Sequence, residues 1–191
     1  MNQKVKLFAE QVLVVFVLLI AFLLLFEEKL VLPYWIQPVG RMHPLLLHFP
    51  IVLLILAMLL DILRFRKGGN AMLVYRNLAQ GFLLGGVLLS GITVIMGLFL
   101  SHEEGYAGDT LSWHKWTGVS IFFMAAAIYW MGKGSWYRAP AAWVSAVALV
   151  FVLVVTGHYG ATLSHGEDFI MEPIIANTAA PVVPLEQAIV F

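Results

Sequence analysis

Residues 40–63 read GRMHPLLLHFPIVLLILAMLLDIL, and this stretch decides the fold. From Pro44 to Leu63 it is apolar apart from His48 and Asp61, and about 20 such residues are what a helix needs to cross a bilayer. Pro44 suits a first helical turn, where its missing N–H is no loss, so His43 stands at the helix cap. Pro50 falls inside the helix, removes one backbone hydrogen bond and predicts a kink beside His48. Five residues of helix turn through about 500°, which sets His43 and His48 about 140° apart, with His48 about 7 Å deeper. His43 reads equally well as an interfacial polar cap. His48 sits within an apolar span, where polar groups are expensive and usually functional.

Four more stretches of spanning length lie around this one: Leu7–Phe26, Leu78–Leu100, Trp113–Met131 and Ala141–Gly157. The composition agrees, with 61% hydrophobic and 12% charged residues against about a quarter charged in soluble domains. Zero net charge gives no case for nucleic acid. The absence of cysteine excludes disulfides, thiolate zinc sites, iron–sulfur clusters and covalent heme attachment within these residues. Lys4 and Lys6 before an apolar run resemble a signal peptide, but no small-x-small site follows, so a retained helix is expected.

Eight of the eleven basic residues (Lys4, Lys6, Arg64, Arg66, Lys67, Arg76, Lys133 and Arg138) fall on one side of the resulting topology. The positive-inside rule makes that side cytoplasmic. The expected fold is an all-α integral membrane protein of five transmembrane helices, N-terminus in and C-terminus out. The second to fifth spans form a four-helix bundle and the first is peripheral. Residues 1–39 hold the first helix and an outer loop, 40–166 the histidine-containing bundle, and 167–191 an extended periplasmic tail.

This topology gathers all six histidines at the outer face. His43 and His48 open the second span, His102 closes the third, His114 opens the fourth, and His158 and His165 follow the exit of the fifth. Imidazole is a common ligand of heme iron and transition metals. In Trp113-His114-Lys115-Trp116, His114 enters the membrane at roughly the depth of His48, so a flat cofactor between antiparallel helices would find matched ligands there. In residues 157–166, GHYGATLSHG, three glycines in ten residues let the backbone leave helical geometry and approach a flat ligand. His158 is a third axial candidate. His165, past the helix, is placed to meet a propionate, a quinone oxygen or a partner.

Gly81, Gly85, Gly86, Ser90, Gly91 and Gly97 line the third span. This pattern serves close helix packing or makes room for a porphyrin face. His102, in an acidic loop, reads as solvated. Asp61 is expected to pair with Arg64 three residues on.

Residues 42–50 (MHPLLLHFP), Trp113-His114-x-Trp116 and residues 157–166 together resemble a multi-helix membrane domain of unassigned function. That domain precedes a periplasmic heme c domain in planctomycete-type cytochrome c proteins. Its final motif reads Gly-His-x-Gly-Gly-x-Leu-Thr-His-Gly, and here Ala161 and Ser164 replace the second glycine and the threonine. The resemblance spans residues 40–170. Residues 185–191 (LEQAIVF) are similar to the lead-in to the cytochrome segment, whose Cys-x-x-Cys-His is not in this sequence. The chain is then either one piece of a longer protein or a stand-alone version serving a separate cytochrome.

The resemblance implies redox work in a bacterial inner (cytoplasmic) membrane, and the histidine pattern fits it independently. The expected cofactor is one heme b near the outer face, with a second allowed by the five histidines available. Its iron would be ligated by two of His48, His114 and His158, with His48–His114 preferred. His43 and His165 would hydrogen-bond around the ligands or bind propionates, and Arg41 would neutralise propionate charge. Electrons would pass between a quinol, or another membrane donor, and an outer cytochrome c domain or protein. With no histidine in the inner half, the protein would not carry electrons across the membrane alone. The alternative is a non-catalytic anchor or scaffold subunit of a larger complex, its histidines binding copper or zinc or simply capping helices.

Overall fold

A computed structural model describes residues 2–166 apart from 104 and 106. The expected tail, 167–191, lies outside the described residues. Asn2 caps the first helix by accepting the N–H of Lys4 (3.1 Å), and α1 runs Gln3–Leu25. Two short helices follow, α2 (Gln37–Arg41) and α3 (His43–Leu46), and then four long ones. These are α4 (His48–Arg64), α5 (Gly69–Leu100), α6 (Asp109–Met131) and α7 (Ala139–His165). No strand occurs among the described residues.

The five long helices match the five apolar stretches, but apolarity alone qualifies fewer as spans. Helices α1, α5 and α7 are each long and apolar enough to cross a membrane. The bent pair Tyr34–Leu46 and His48–Arg64, angled by 43°, makes a fourth if counted as one span. Helix α6 falls short because Asp109, His114 and Lys115 occupy its first two turns. The break between α3 and α4 falls at Leu47. It is where the missing N–H of Pro50 leaves the Leu46 carbonyl without its helical donor, so the expected kink is present.

Helix α5 is the centre of the assembly, touching α1, α2, α3, α4 and α6, while α7 packs on α6 and α4. The core repeats at helical spacing: Leu54, Ala57 and Met58 of α4 meet Leu83, Leu84 and Val87 of α5, with Phe122, Ala125, Ala126 and Tyr129 from α6 and Leu149 from α7. Glycines on α5 admit neighbouring side chains. A Cβ at Gly86 would lie 3.0 Å from Leu54, and one at Gly91 would lie 2.6 Å from Phe16 and 3.0 Å from Phe122. Gly81 faces open space. The small residues therefore serve close packing along most of the stripe.

Helix α1 lies on the outside of the bundle against α5, but it is firmly docked there. Leu13 and Ile20 are fully buried, and Glu10 accepts the Tyr129 hydroxyl (2.6 Å) and pairs with Lys133 (2.9 Å). A carboxylate in an apolar helix needs such partners, so the residue that interrupts the hydrophobic run is the one that docks the helix. All six tryptophans stay exposed, as membrane-interface belts require.

Candidate functional site

Antiparallel packing brings the start of α3, the start of α6 and the ends of α5 and α7 to one end of the bundle. His43, the first residue of α3, turns its ring back onto α5, where Nδ1 lies 2.8 Å from the Thr93 carbonyl oxygen. His114, in the second turn of α6, does the same on α7, with Nδ1 3.0 Å from the Thr156 carbonyl oxygen. A carbonyl can only accept, so each Nδ1 carries the proton and donates it. Each Nε2 is then left as the nitrogen with an open lone pair. Both rings are half-buried. Their centres stand 6.2 Å apart and their planes cross at 87°.

Glycine makes both contacts sterically feasible. In an α-helix the carbonyl of residue i already accepts the N–H of residue i+4, so a second donor must approach beside that residue. At Thr93 that residue is Gly97, and a Cβ there would come within 3.0 Å of the His43 ring. At Thr156 it is Gly160, and a Cβ would come within 2.9 Å of the His114 ring. Each threonine hydroxyl is tied to its own helix, Thr93 to Leu89 (2.8 Å) and Thr156 to Val152 (2.8 Å). Neither hydroxyl competes for the imidazole.

The pairing differs from the expected His48–His114. His48 is exposed at the start of α4, while the bend after α3 carries His43 to the level of His114. A continuous helix would have kept His43 about 7 Å shallower than His48; the 43° bend shortens that offset and re-aims the ring. His158 is also exposed. Gly160 faces His114, and two residues on a helix lie about 200° apart, so His158 lies on the far side of α7, edge-on to Tyr159. His165 ends α7 rather than following it. The glycines there do not unwind the backbone; the helix continues to Gly166, whose φ of +94° ends it. Among the described residues, no group of three or more His, Asp or Glu side chains converges on a point that could hold a metal ion. The set His48, His114 and His158 is therefore not assembled.

Ion pairs surround the imidazoles at the same end. Arg41 grips Glu103 through Nε (2.9 Å) and a terminal nitrogen (2.9 Å), so the guanidinium expected to meet a propionate is committed to a carboxylate. Lys115 pairs with Glu27 at 2.6 Å. His102 is not merely solvated: Nδ1 lies 2.7 Å from the Leu98 carbonyl and Nε2 3.2 Å from that of Glu27. Trp113 stacks on Tyr159 at 5.8 Å, beside His114. Two surface grooves, about 490 and 390 Å³, line α7 around Trp143, Val147 and Phe151, away from the imidazoles.

As donors, the two imidazoles each leave Nε2 over, one from each hairpin, with ring centres 6.2 Å apart. With metal–nitrogen bonds of about 2.0 Å, two imidazoles bound through Nε2 on opposite sides of one ion have ring centres about 6 Å apart. Donation of Nδ1–H to a carbonyl is the usual way that a metal-binding histidine is oriented. Thr93 and Thr156 were not legible as site residues, whereas Gly97 and Gly160 stood in the glycine patterns expected to make room for a flat ligand; Thr-x-x-x-Gly occurs at both places in the sequence.

Residues 41–170 match the family described as predicted membrane protein (DUF2231). No curated protein and no solved structure is significantly similar to the chain. The matched region is most of the chain, and the protein belongs to that family.

Proposed function

We propose that this DUF2231 membrane protein holds one heme b between His43 and His114 and passes single electrons at one membrane face. The observation that carries the reading is the pair itself: two imidazoles from separate helices, each tied through Nδ1 and open at Nε2, with ring centres 6.2 Å apart. Heme bound there supplies a one-electron iron couple. The chain's part is to fix the two rings, to raise their basicity through the carbonyl bonds and to hold them in a partly dry helix end. The five long helices are read as five spans, with α6 crossing despite its polar start, shielded by its neighbours. The basic residues put the N-terminus in the cytoplasm and the imidazole pair at the outer face of a bacterial inner membrane. A quinol or other membrane donor and an outer cytochrome c suit that position.

A reduced-minus-oxidised optical spectrum of the detergent-purified protein, with a pyridine hemochrome assay, tests this. The expected result is a b-type α-band at about one heme per chain, lost or converted to a five-coordinate spectrum in His43→Ala and His114→Ala. Folded protein from a heme-replete host that carries no heme overturns the reading. Metal analysis of that preparation then asks whether the pair holds an ion instead.

A further inference from the structure

The two imidazoles are held by two copies of one device. His43 reaches Thr93, 50 residues away, and His114 reaches Thr156, 42 residues away. In both cases a helix start delivers the ring to the returning helix of its own hairpin, at a threonine followed four residues later by glycine. The matching distances are close: 2.8 and 3.0 Å for the bonds, 3.0 and 2.9 Å for the space that a Cβ would need. Each threonine hydroxyl is bonded to the carbonyl four residues back, at 2.8 Å in both.

We propose that Thr93-x-x-x-Gly97 and Thr156-x-x-x-Gly160 are a duplicated positioning element that sets the tautomer and the plane of both imidazoles. The carbonyl fixes the proton on Nδ1, since the alternative tautomer would set a lone pair against a lone pair. The glycine lets the ring lie against the helix, and its bare Cα fixes how closely. The ring planes cross at 87° because each is set by its own helix. The site is thus built for a ligand that takes two equivalent nitrogen donors, one from each hairpin, as a metallo-tetrapyrrole does. Only this last step rests on the heme reading; the tautomer does not. Gly97 and Gly160 are positioning residues, and the threonine side chains are dispensable because only their carbonyls are used.

Two measurements test the element. The first is ¹⁵N NMR of histidine-labelled, heme-free protein in detergent. His43 and His114, assigned by substitution, are expected as Nδ1–H tautomers; Nε2–H tautomers at both would overturn the proposal whether or not the protein binds heme. The second is electron paramagnetic resonance of the oxidised, heme-loaded protein. Crossed imidazole planes leave the iron's two dπ orbitals nearly degenerate, giving a strongly anisotropic low-spin signal with an isolated low-field feature. Gly97→Ala and Gly160→Ala should each shift that feature toward the rhombic pattern of more parallel rings. Thr93→Val and Thr156→Val should leave it in place. The alanine methyl meets an imidazole rather than backbone, so the ring can yield without unfolding the helix. A rhombic wild-type signal, or one unmoved by both alanines, overturns the proposal. If no heme is bound, the proposed function fails and the tautomer result alone decides the cradle.

Discussion

The two ends of this bundle bury polar groups in opposite ways. At the histidine end, neutral rings from distant segments each satisfy one nitrogen on a helix carbonyl and leave the other open. At the far end, Asp61 and Arg64 form a charge pair within one helix, 3.0 Å apart and almost fully buried. Tyr137 is buried beside them, its ring 5.5 Å from the guanidinium. There the polar atoms meet poorly: both Asp61 carboxylate oxygens, Arg64 Nε and the Tyr137 hydroxyl lack an aligned hydrogen bond. Buried polar atoms of this kind are usually completed by ordered water. The comparison separates a polar layer arranged around an open donor from one that only neutralises itself. On the function proposed above, the first serves a ligand and the second closure.

The largest expected effect is at the histidine end. His43→Ala together with His114→Ala should abolish the α-band entirely, while His48→Ala keeps it, as read by the optical spectrum. Equal loss in His48→Ala would restore the pairing expected from helical depth and break the comparison. At the other end, Asp61→Ala leaves a buried guanidinium unpaired and should cost about 3–5 kcal/mol, measured by unfolding in detergent, with no change in heme content. Replacing Asp61 and Arg64 together by leucine should recover most of that loss, because a packed apolar pair is often neutral against a buried ion pair.

Glu10→Leu removes the acceptor of the Tyr129 hydroxyl and should cost about 1–3 kcal/mol, with α1 becoming more accessible to protease. Burial, helped by the nearby Asp61 carboxylate, pushes the Tyr137 phenol up to about 12. The folded state then holds that proton more tightly than the unfolded one. Its contribution to stability is complete below about pH 10 and is lost as the pH climbs toward 12. Tyr137→Phe should flatten that decline in the unfolding midpoint. Arg41→Ala, the smallest, breaks an exposed pair with Glu103 worth about 0.2–1 kcal/mol and should leave the heme spectrum in place. A displaced spectrum would return Arg41 to the propionate role that its sequence position suggested.

What the sequence determined by itself was local: five long helices, the kink beside His48, the Asp61–Arg64 pair and the gathering of histidines at one end. Hydropathy, proline chemistry and i,i+3 spacing act over a few turns, and alternation of helix direction does the rest. The apolar runs of α5 and α7 both proved shorter than their helices, because residues 69–77 and 158–165 are helical beyond them. Which histidines meet was decided only in three dimensions. The 43° bend re-aims His43, and the rings settle where a helix carbonyl has a glycine four residues on, 50 and 42 residues away in the chain. A glycine in a sequence shows that space is available there, and only the packed helices show which ring fills it.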